Sequence, residues 1–308
     1  MSENKDLENR EATLDAVLDG LMSRYLDRVP DVNNIVNAMK AQGIITDRHD
    51  IENDHIAFRT LGVKHLGIAS LEKIFLHYGY ERRDHYTFLE KKLEAHWYHP
   101  PKPTLPRIFI SELRVGDLSE EAQRILLSYT NEVTSDPVDA LDLDSAEQVD
   151  TFLHAALWRL PTWADYQVLA AESEYAAWVI YNRYYLNHFT ISVHNLPKGY
   201  NTVASFNDFL EQHNFILNTA GGKIKVSNDS KLLQSSTVAE MVEADFAEGD
   251  VHLISGSYVE FAERRPIVDD AELAPGVYSR EQLRDGFEAA NADKIFESTY
   301  STQTNQKR

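Results

Sequence analysis

Three side chains in this 308-residue sequence, His55, His188 and Glu260, are of the types that hold a metal ion when they meet. Each sits in a short segment of alternating polarity. In His55-Ile-Ala-Phe-Arg59, strand geometry puts His55, Ala57 and Arg59 on one face and Ile56 and Phe58 on the other. In the stretch 185–193, His188, Thr190 and Ser192 lie opposite Phe189, Ile191 and Val193, and Glu260 alternates with Val259 and Phe261 while sharing its face with Tyr258 and Ala262. Two imidazoles and one carboxylate converging from such strands make a facial triad, which leaves positions open on Fe(II) for a substrate and O2. Taken singly, each histidine reads more readily as a satisfied core or interface residue, because the spacing is long-range. A carboxylate on a strand with apolar neighbours is costly to bury unless it is paired or coordinated.

Arg59 is a candidate catalytic and substrate-binding residue. Sharing a strand face with His55, it offers a planar, two-pronged cation near the metal; a structural ion pair is the alternative. Gln234, Ser235, Ser236, Tyr258, Thr190 and Lys223 are candidates for orienting substrate or holding the ligand carboxylate, and read as well as ordinary sheet residues. Glu112 is expected at the position equivalent to Glu260, as a vestigial ligand or, better, a salt-bridged or solvent-facing glutamate. The remaining histidines are assigned structural or surface roles. No GxSxG, Walker-type loop or HExxH helix is present, so serine hydrolase, NTPase and zincin chemistry have no support.

The elements that must position these residues read as α+β. Apolar residues between Leu7 and Met39 recur at helical steps, predicting an N-terminal helical cap over residues 1–50. Residues 51–117 read as strand, helix (Leu66 to Tyr78) and three strands, near Asp84–Glu90, Leu93–His99 and Arg107–Val115. A helical insert follows over 118–180, broken by Pro161. The order then returns over 181–268: a strand at Tyr185–Val193, a helix at Val203–His213, and strands at Lys223–Val226, Leu232–Thr237 and His252–Ala262, with Gly221-Gly222 and Gly249-Asp250 as turns. Two such βαβββ units predict a curved sheet around a cavity, in one integrated domain. The stretch Ala239–Glu248 reads as an added strand or a lid. From Val268 the reading is a loop, a helix near Arg280–Ala290, and a mobile polar tail within 269–308.

Composition narrows the function. A net charge of −19 without a Lys/Arg block excludes a nucleic-acid or anionic-membrane partner. With no cysteine, any metal must use His and carboxylates. No apolar run is long enough to span a bilayer and the N-terminus lacks an apolar signal segment, so the cytosol is the expected compartment.

The stretches His55-Ile-Ala-Phe-Arg59, Asn187-His188-Phe-Thr-Ile191, Leu233-Gln-Ser-Ser-Thr237 and Gly256-Ser-Tyr-Val-Glu260-Phe-Ala-Glu-Arg264 resemble the motifs of the 2-oxoadipate dioxygenase/decarboxylase family, over about residues 15–265. The resemblance implies a fold like the vicinal-oxygen-chelate enzymes and a place in lysine catabolism. It implies that His55, His188 and Glu260 bind Fe(2+) and that Arg59 binds the substrate carboxylate. Its implied chemistry is oxidation of 2-oxoadipate by O2 to 2-hydroxyglutarate and CO2; beside His55 and Arg59, the sheet residues Gln234, Ser236 and Tyr258 stand as candidate substrate contacts on their own reading. Longer members carry a further C-terminal substrate contact that finds no place in this sequence. Two other functions fit the same residues: a non-redox lyase or isomerase using Zn2+, Mn2+ or Ni2+, and a binding protein without turnover. The sequence leaves the oligomeric state open.

Overall fold

The structure is a computed structural model and describes residues 2–268 and 278–307. The expected loop after Val268 falls largely on 269–277, outside the described residues.

Two helices, α1 (Ser2–Arg28) and α2 (Pro30–Ala41), form the N-terminal cap. Their apolar faces are buried through Leu14, Val17, Leu21, Tyr25, Val32, Ile35 and Met39, as the three- and four-residue spacing requires. The Tyr25 hydroxyl reaches the main sheet, contacting the Tyr258 carbonyl and the Phe189 amide.

The main sheet has eight strands. The first unit contributes β1 (Asn53–Leu61), α3 (Ile68–His77), β2 (Glu81–Phe88), β3 (Leu93–His99) and β4 (Arg107–Leu113). Four helices follow: α4 (Glu120–Thr130), α5 (Ala146–Leu153), α6 (Trp163–Glu172) and α7 (Glu174–Asn182). Ser119, Ser145, Thr162 and Ser173 cap them by accepting from backbone amides in the first turn. The second unit contributes β5 (His188–Ser192), α8 (Val203–Gln212), β6 (Lys225–Val226), β7 (Leu232–Ser236), β8 (Met241–Asp245), β9 (Val251–Ser255) and β10 (Tyr258–Arg264). The strand order is β2-β3-β4-β1-β5-β10-β7-β6, with β8 and β9 paired in a separate hairpin.

This order is nearly symmetric about the β1/β5 seam. β1 pairs with β4 in parallel and β5 with β10 in parallel, while β1 and β5 run antiparallel. The central strands are buried on both faces. The outer strand β2, rich in Glu81, Arg82, Arg83 and Asp84, is exposed over most of its length, and charges of this kind discourage edge-to-edge pairing.

Three expectations need correction. The stretch His252–Ala262 is not one strand: the chain breaks at Gly256-Ser257, where a Cβ on Gly256 would lie 3.2 Å from the Glu240 carbonyl. Of the two readings of Ala239–Glu248, added strand or lid, the structure shows the strand, β8. The helix near the C-terminus is α9 (Ala289–Phe296), later than expected. The polar tail beyond it is packed, with Ser298, Thr299, Gln303 and Thr304 buried, because their polar groups find partners: Ser298 and Gln303 meet Asn218 and Thr219.

Candidate metal centre

His55, His188 and Glu260 come together on the concave side of the sheet, all buried, with one ligating atom from each within 4.8 Å of the others. His55 Nε2 lies 3.4 Å from His188 Nε2, and Glu260 approaches them at 3.5 and 3.0 Å. Donors bonded at about 2.1 Å to one ion with near-right-angle geometry sit about 3 Å apart, so the spacing fits one small divalent cation. The outer nitrogens are already used. His55 Nδ1 meets Asp54 Oδ1 at 2.8 Å and His188 Nδ1 meets Asn187 Oδ1 at 3.0 Å, so both Nε2 atoms are free to face the common point. Gln234 Nε2 donates to Glu260 Oε1 at 2.6 Å, and Asn291 Nδ2 donates in turn to Gln234 Oε1.

The electrostatics agree with a site meant for a cation. Burial pushes Glu260 up, but the two imidazoles outweigh it and hold the carboxyl well below its usual range. Burial lowers His55, yet Glu260 and Asp54 prevail and raise it. Burial prevails at His188, which is lowered.

The pocket around the triad is lined by Ala57, Arg59, Phe109, Ser111, Tyr258 and the roof residues Phe287, Ala292, Ile295 and Phe296, and encloses about 20 Å³, room for about one water. A larger cavity, about 690 Å³, is lined by Asp54, Arg107 and Arg264 and includes none of the three donors. Phe287 stands edge-on to His55, ring centroids 4.8 Å apart. Arg59 is buried, and no carboxylate pairs with it among the described residues. Its Nη1 donates to Thr299 Oγ1 at 2.8 Å and its Nη2 to the Phe296 carbonyl at 3.0 Å, beside the rings of Tyr175, Trp178 and Phe296. Arg59 Nε, the Tyr258 hydroxyl and Asn187 Nδ2, all belonging to pocket-lining residues, are buried without a hydrogen-bond partner among the described residues. Buried polar groups left open in one place point to a polar ligand.

The other candidates fall in different places. Thr190 Oγ1 is 3.1 Å from His55 Nε2. Ser236 sits outside the lining, its hydroxyl on that of Ser298. Ser235 faces away and donates to Asn207, as the alternation with Gln234 and Ser236 dictates. Lys223 pairs with Glu211 at the surface. Among the described residues Glu112 joins neither the His55, His188 and Glu260 cluster nor an ion pair: its Oε2 accepts from the Ile68 amide at the start of α3 at 2.8 Å. The register explains this. With His55 matched to His188, Glu260 opposite Thr190 corresponds to Phe109 opposite Ala57. Glu112 corresponds to Glu263, which accepts from the Val203 amide at the start of α8 at 2.8 Å. The expected equivalence of Glu112 with Glu260 is therefore three residues out of phase. Gly67 belongs to the same device, since a Cβ there would lie 2.5 Å from Glu112 Oε2.

Sequence reasoning missed Asp54, Asn187 and the aromatic roof. Strict alternation puts Asp54 on the face opposite His55, yet the two side chains meet at 2.8 Å, where the β1/β5 register slips between Asn53 and Ile56. The roof is contributed by a helix far along the chain, and only the aromatic pair Phe287 and Phe296 could have hinted at it.

Comparisons with known proteins follow the same lines. The 2-oxoadipate dioxygenase/decarboxylase family profile matches residues 17–274. A chloroplastic 2-oxoadipate dioxygenase/decarboxylase of Arabidopsis thaliana is 39% identical over 303 residues, 95% of this chain and 79% of the relative. The crystal structure of hydroxyglutarate synthase in complex with 2-oxoadipate from Oryza sativa superposes with a TM-score of 0.88 at 38% identity, covering 96% of this chain and 95% of that one. A glyoxalase superfamily protein from Ralstonia eutropha JMP134, 20% identical over 91% of this chain and 87% of that one, shares the fold with a TM-score of 0.70. The expected cytosolic location does not stand: the plant relatives are named chloroplastic or amyloplastic. No helix among the described residues is long and apolar enough to cross a membrane. By profile, identity and fold, the chain belongs to the 2-oxoadipate dioxygenase/decarboxylase family.

Proposed function

We propose that the protein is an Fe(II)-dependent oxygenase that converts 2-oxoadipate, or a close homologue, and O2 into 2-hydroxyglutarate and CO2. The reaction balances without a further reductant: both oxygen atoms of O2 are retained in the two products. The observation that carries the reading is the buried His55, His188 and Glu260 cluster, with both Nε2 atoms facing the carboxylate, in a chain that belongs to this family. These three residues would hold the iron, which when bound supplies the open positions and the electrons for reaction with O2.

The chain's own residues do the rest. Arg59 aims its guanidinium into the pocket and binds a substrate carboxylate there, exchanging its present bonds to Thr299 and Phe296 for charge-assisted ones. The Tyr258 hydroxyl and Asn187 Nδ2 are further donors left open for substrate oxygens. Gln234 holds Glu260 so that its carboxylate faces the two imidazoles. Phe109, Phe287 and Phe296 keep bulk water from the reacting centre. A six-carbon dicarboxylate exceeds the enclosed volume, so loading requires the roof over residues 287–299 to shift.

The test is a panel of 2-oxo acids offered to the protein loaded with Fe(II) or Zn(II). Oxygen uptake with CO2 release for Fe(II) alone, greatest near 2-oxoadipate, is the expected result. Turnover with Zn(II) under argon would replace this reading with a lyase or isomerase, and tight binding without product would leave a binding protein.

A further inference from the structure

We propose that Asp54 is a positioning residue for the metal centre, which fixes His55 through a carboxylate while the matching Asn187 fixes His188 through a neutral amide. The inference rests on the metal-binding reading above and adds a device to it.

The geometry is closed on every side. Asp54 is 1% exposed, and each of its oxygens is occupied. Oδ1 accepts from Arg264 Nη2 at 2.9 Å and meets His55 Nδ1 at 2.8 Å. Oδ2 accepts from Arg264 Nε at 2.6 Å and from Arg107 Nη1 at 3.4 Å. The two guanidiniums of Arg264 and Arg107 thus converge on one carboxylate, which stands between them and the His55 imidazole and holds its Nδ1. A carboxylate behind an imidazole holds its Nδ1–H, so the tautomer presents the Nε2 lone pair and becomes a stronger donor. Asn187 occupies the same place before His188, but offers only an amide oxygen, at 3.0 Å. The two ligand histidines are thus matched in position and unequal in donor strength.

Arg264 links this device to the roof. Its Nη1 donates to the carbonyls of Arg284 and Gly286 at 2.9 and 2.8 Å, next to Phe287, whose ring stands against His55. The guanidinium that clamps Asp54 therefore also seats the chain that closes the pocket. A purely structural ion pair would need no contact with a ligand imidazole, and this one has it.

The experiment is Co(II) titration of the full chain, followed by the ion's d–d absorption, for the wild type, Asp54→Asn and the double variant Asp54→Asn/Arg264→Met. The single substitution keeps an acceptor for His55 but leaves Arg264 facing an amide. The double variant removes that unpaired buried charge, so a folding defect in the single variant does not end the test. Both variants, checked for native circular dichroism, are expected to bind Co(II) about 10- to 100-fold more weakly, with an altered d–d envelope. A folded double variant with wild-type affinity and spectrum overturns the inference. If the wild type itself binds neither Co(II) nor Fe(II), the metal reading fails and this inference falls with it; if only the variants match the wild type, the metal reading stands alone.

Discussion

Replacing Arg59 by Met tests whether this buried cation serves the substrate or the fold. The substitution keeps an unbranched side chain out to about the position of Nε and removes the guanidinium with its charge. In the structure Arg59 contacts none of the three metal donors; it donates to Thr299 Oγ1 and the Phe296 carbonyl among three aromatic rings. A charge-assisted hydrogen bond is worth roughly 1.5–3 kcal/mol, so losing the carboxylate contact should cost about 3 kcal/mol, roughly a 100-fold drop in kcat/KM, carried mainly by KM. Stability should change little, by about 1 kcal/mol or less. The Phe296 carbonyl keeps the Thr299 hydroxyl as a donor at 3.3 Å, and removing a buried cation without a carboxylate partner offsets the lost bonds. Oxygen-electrode kinetics over a range of 2-oxoadipate concentrations, metal content and a urea melt give the three numbers. The reasoning fails if metal is lost along with activity, or if kcat/KM stays within a few-fold of wild type while the urea midpoint collapses.

Other predictions concern the frame of the site. Glu112→Ala and Glu263→Ala should each destabilise the fold by about 1 kcal/mol, because each removes the acceptor at a helix start; matching losses in urea denaturation would support the internal repeat, and two null results would count against it. Hydrogen exchange of the metal-loaded protein should show amides of 289–299 opening faster than those of β1 and β5, and slowing when 2-oxoadipate is added; a roof as protected as the sheet would refute the loading route. Burial lowers Lys225 to about 8, from 10.5 in an unfolded chain. Between those values the unfolded chain binds the extra proton, so this residue's contribution to stability rises with pH, by up to roughly 3 kcal/mol. The stability of Lys225→Met relative to wild type should therefore fall from pH 8 to 10.5, and a flat difference would contradict the assignment.

The alternation of His55, Ala57 and Arg59 against Ile56 and Phe58 was legible because a strand buried on two chemically different faces has to alternate. The same rule gave no reason to single out Asp54, since it assumes a regular pleat and the register slips between Asn53 and Ile56. The phase of the repeat was harder still: nothing local says whether Glu112 matches Glu260 or Glu263, and only the β1/β4 and β5/β10 registers decide it. The C-terminal segment was read as a mobile tail because it is polar, yet Ser298, Thr299 and Gln303 bury those polar groups against partners more than sixty residues away in sequence. Polarity predicts exposure only where no partner exists, and partners of that kind are invisible before folding.

The most direct test of the account is an anomalous difference map recorded at the iron edge from crystals loaded with Fe(II) under argon. It should show one peak per chain, about 2.1 Å from His55 Nε2, His188 Nε2 and a Glu260 carboxylate oxygen. A peak elsewhere in the chain, or none at full loading, would contradict it.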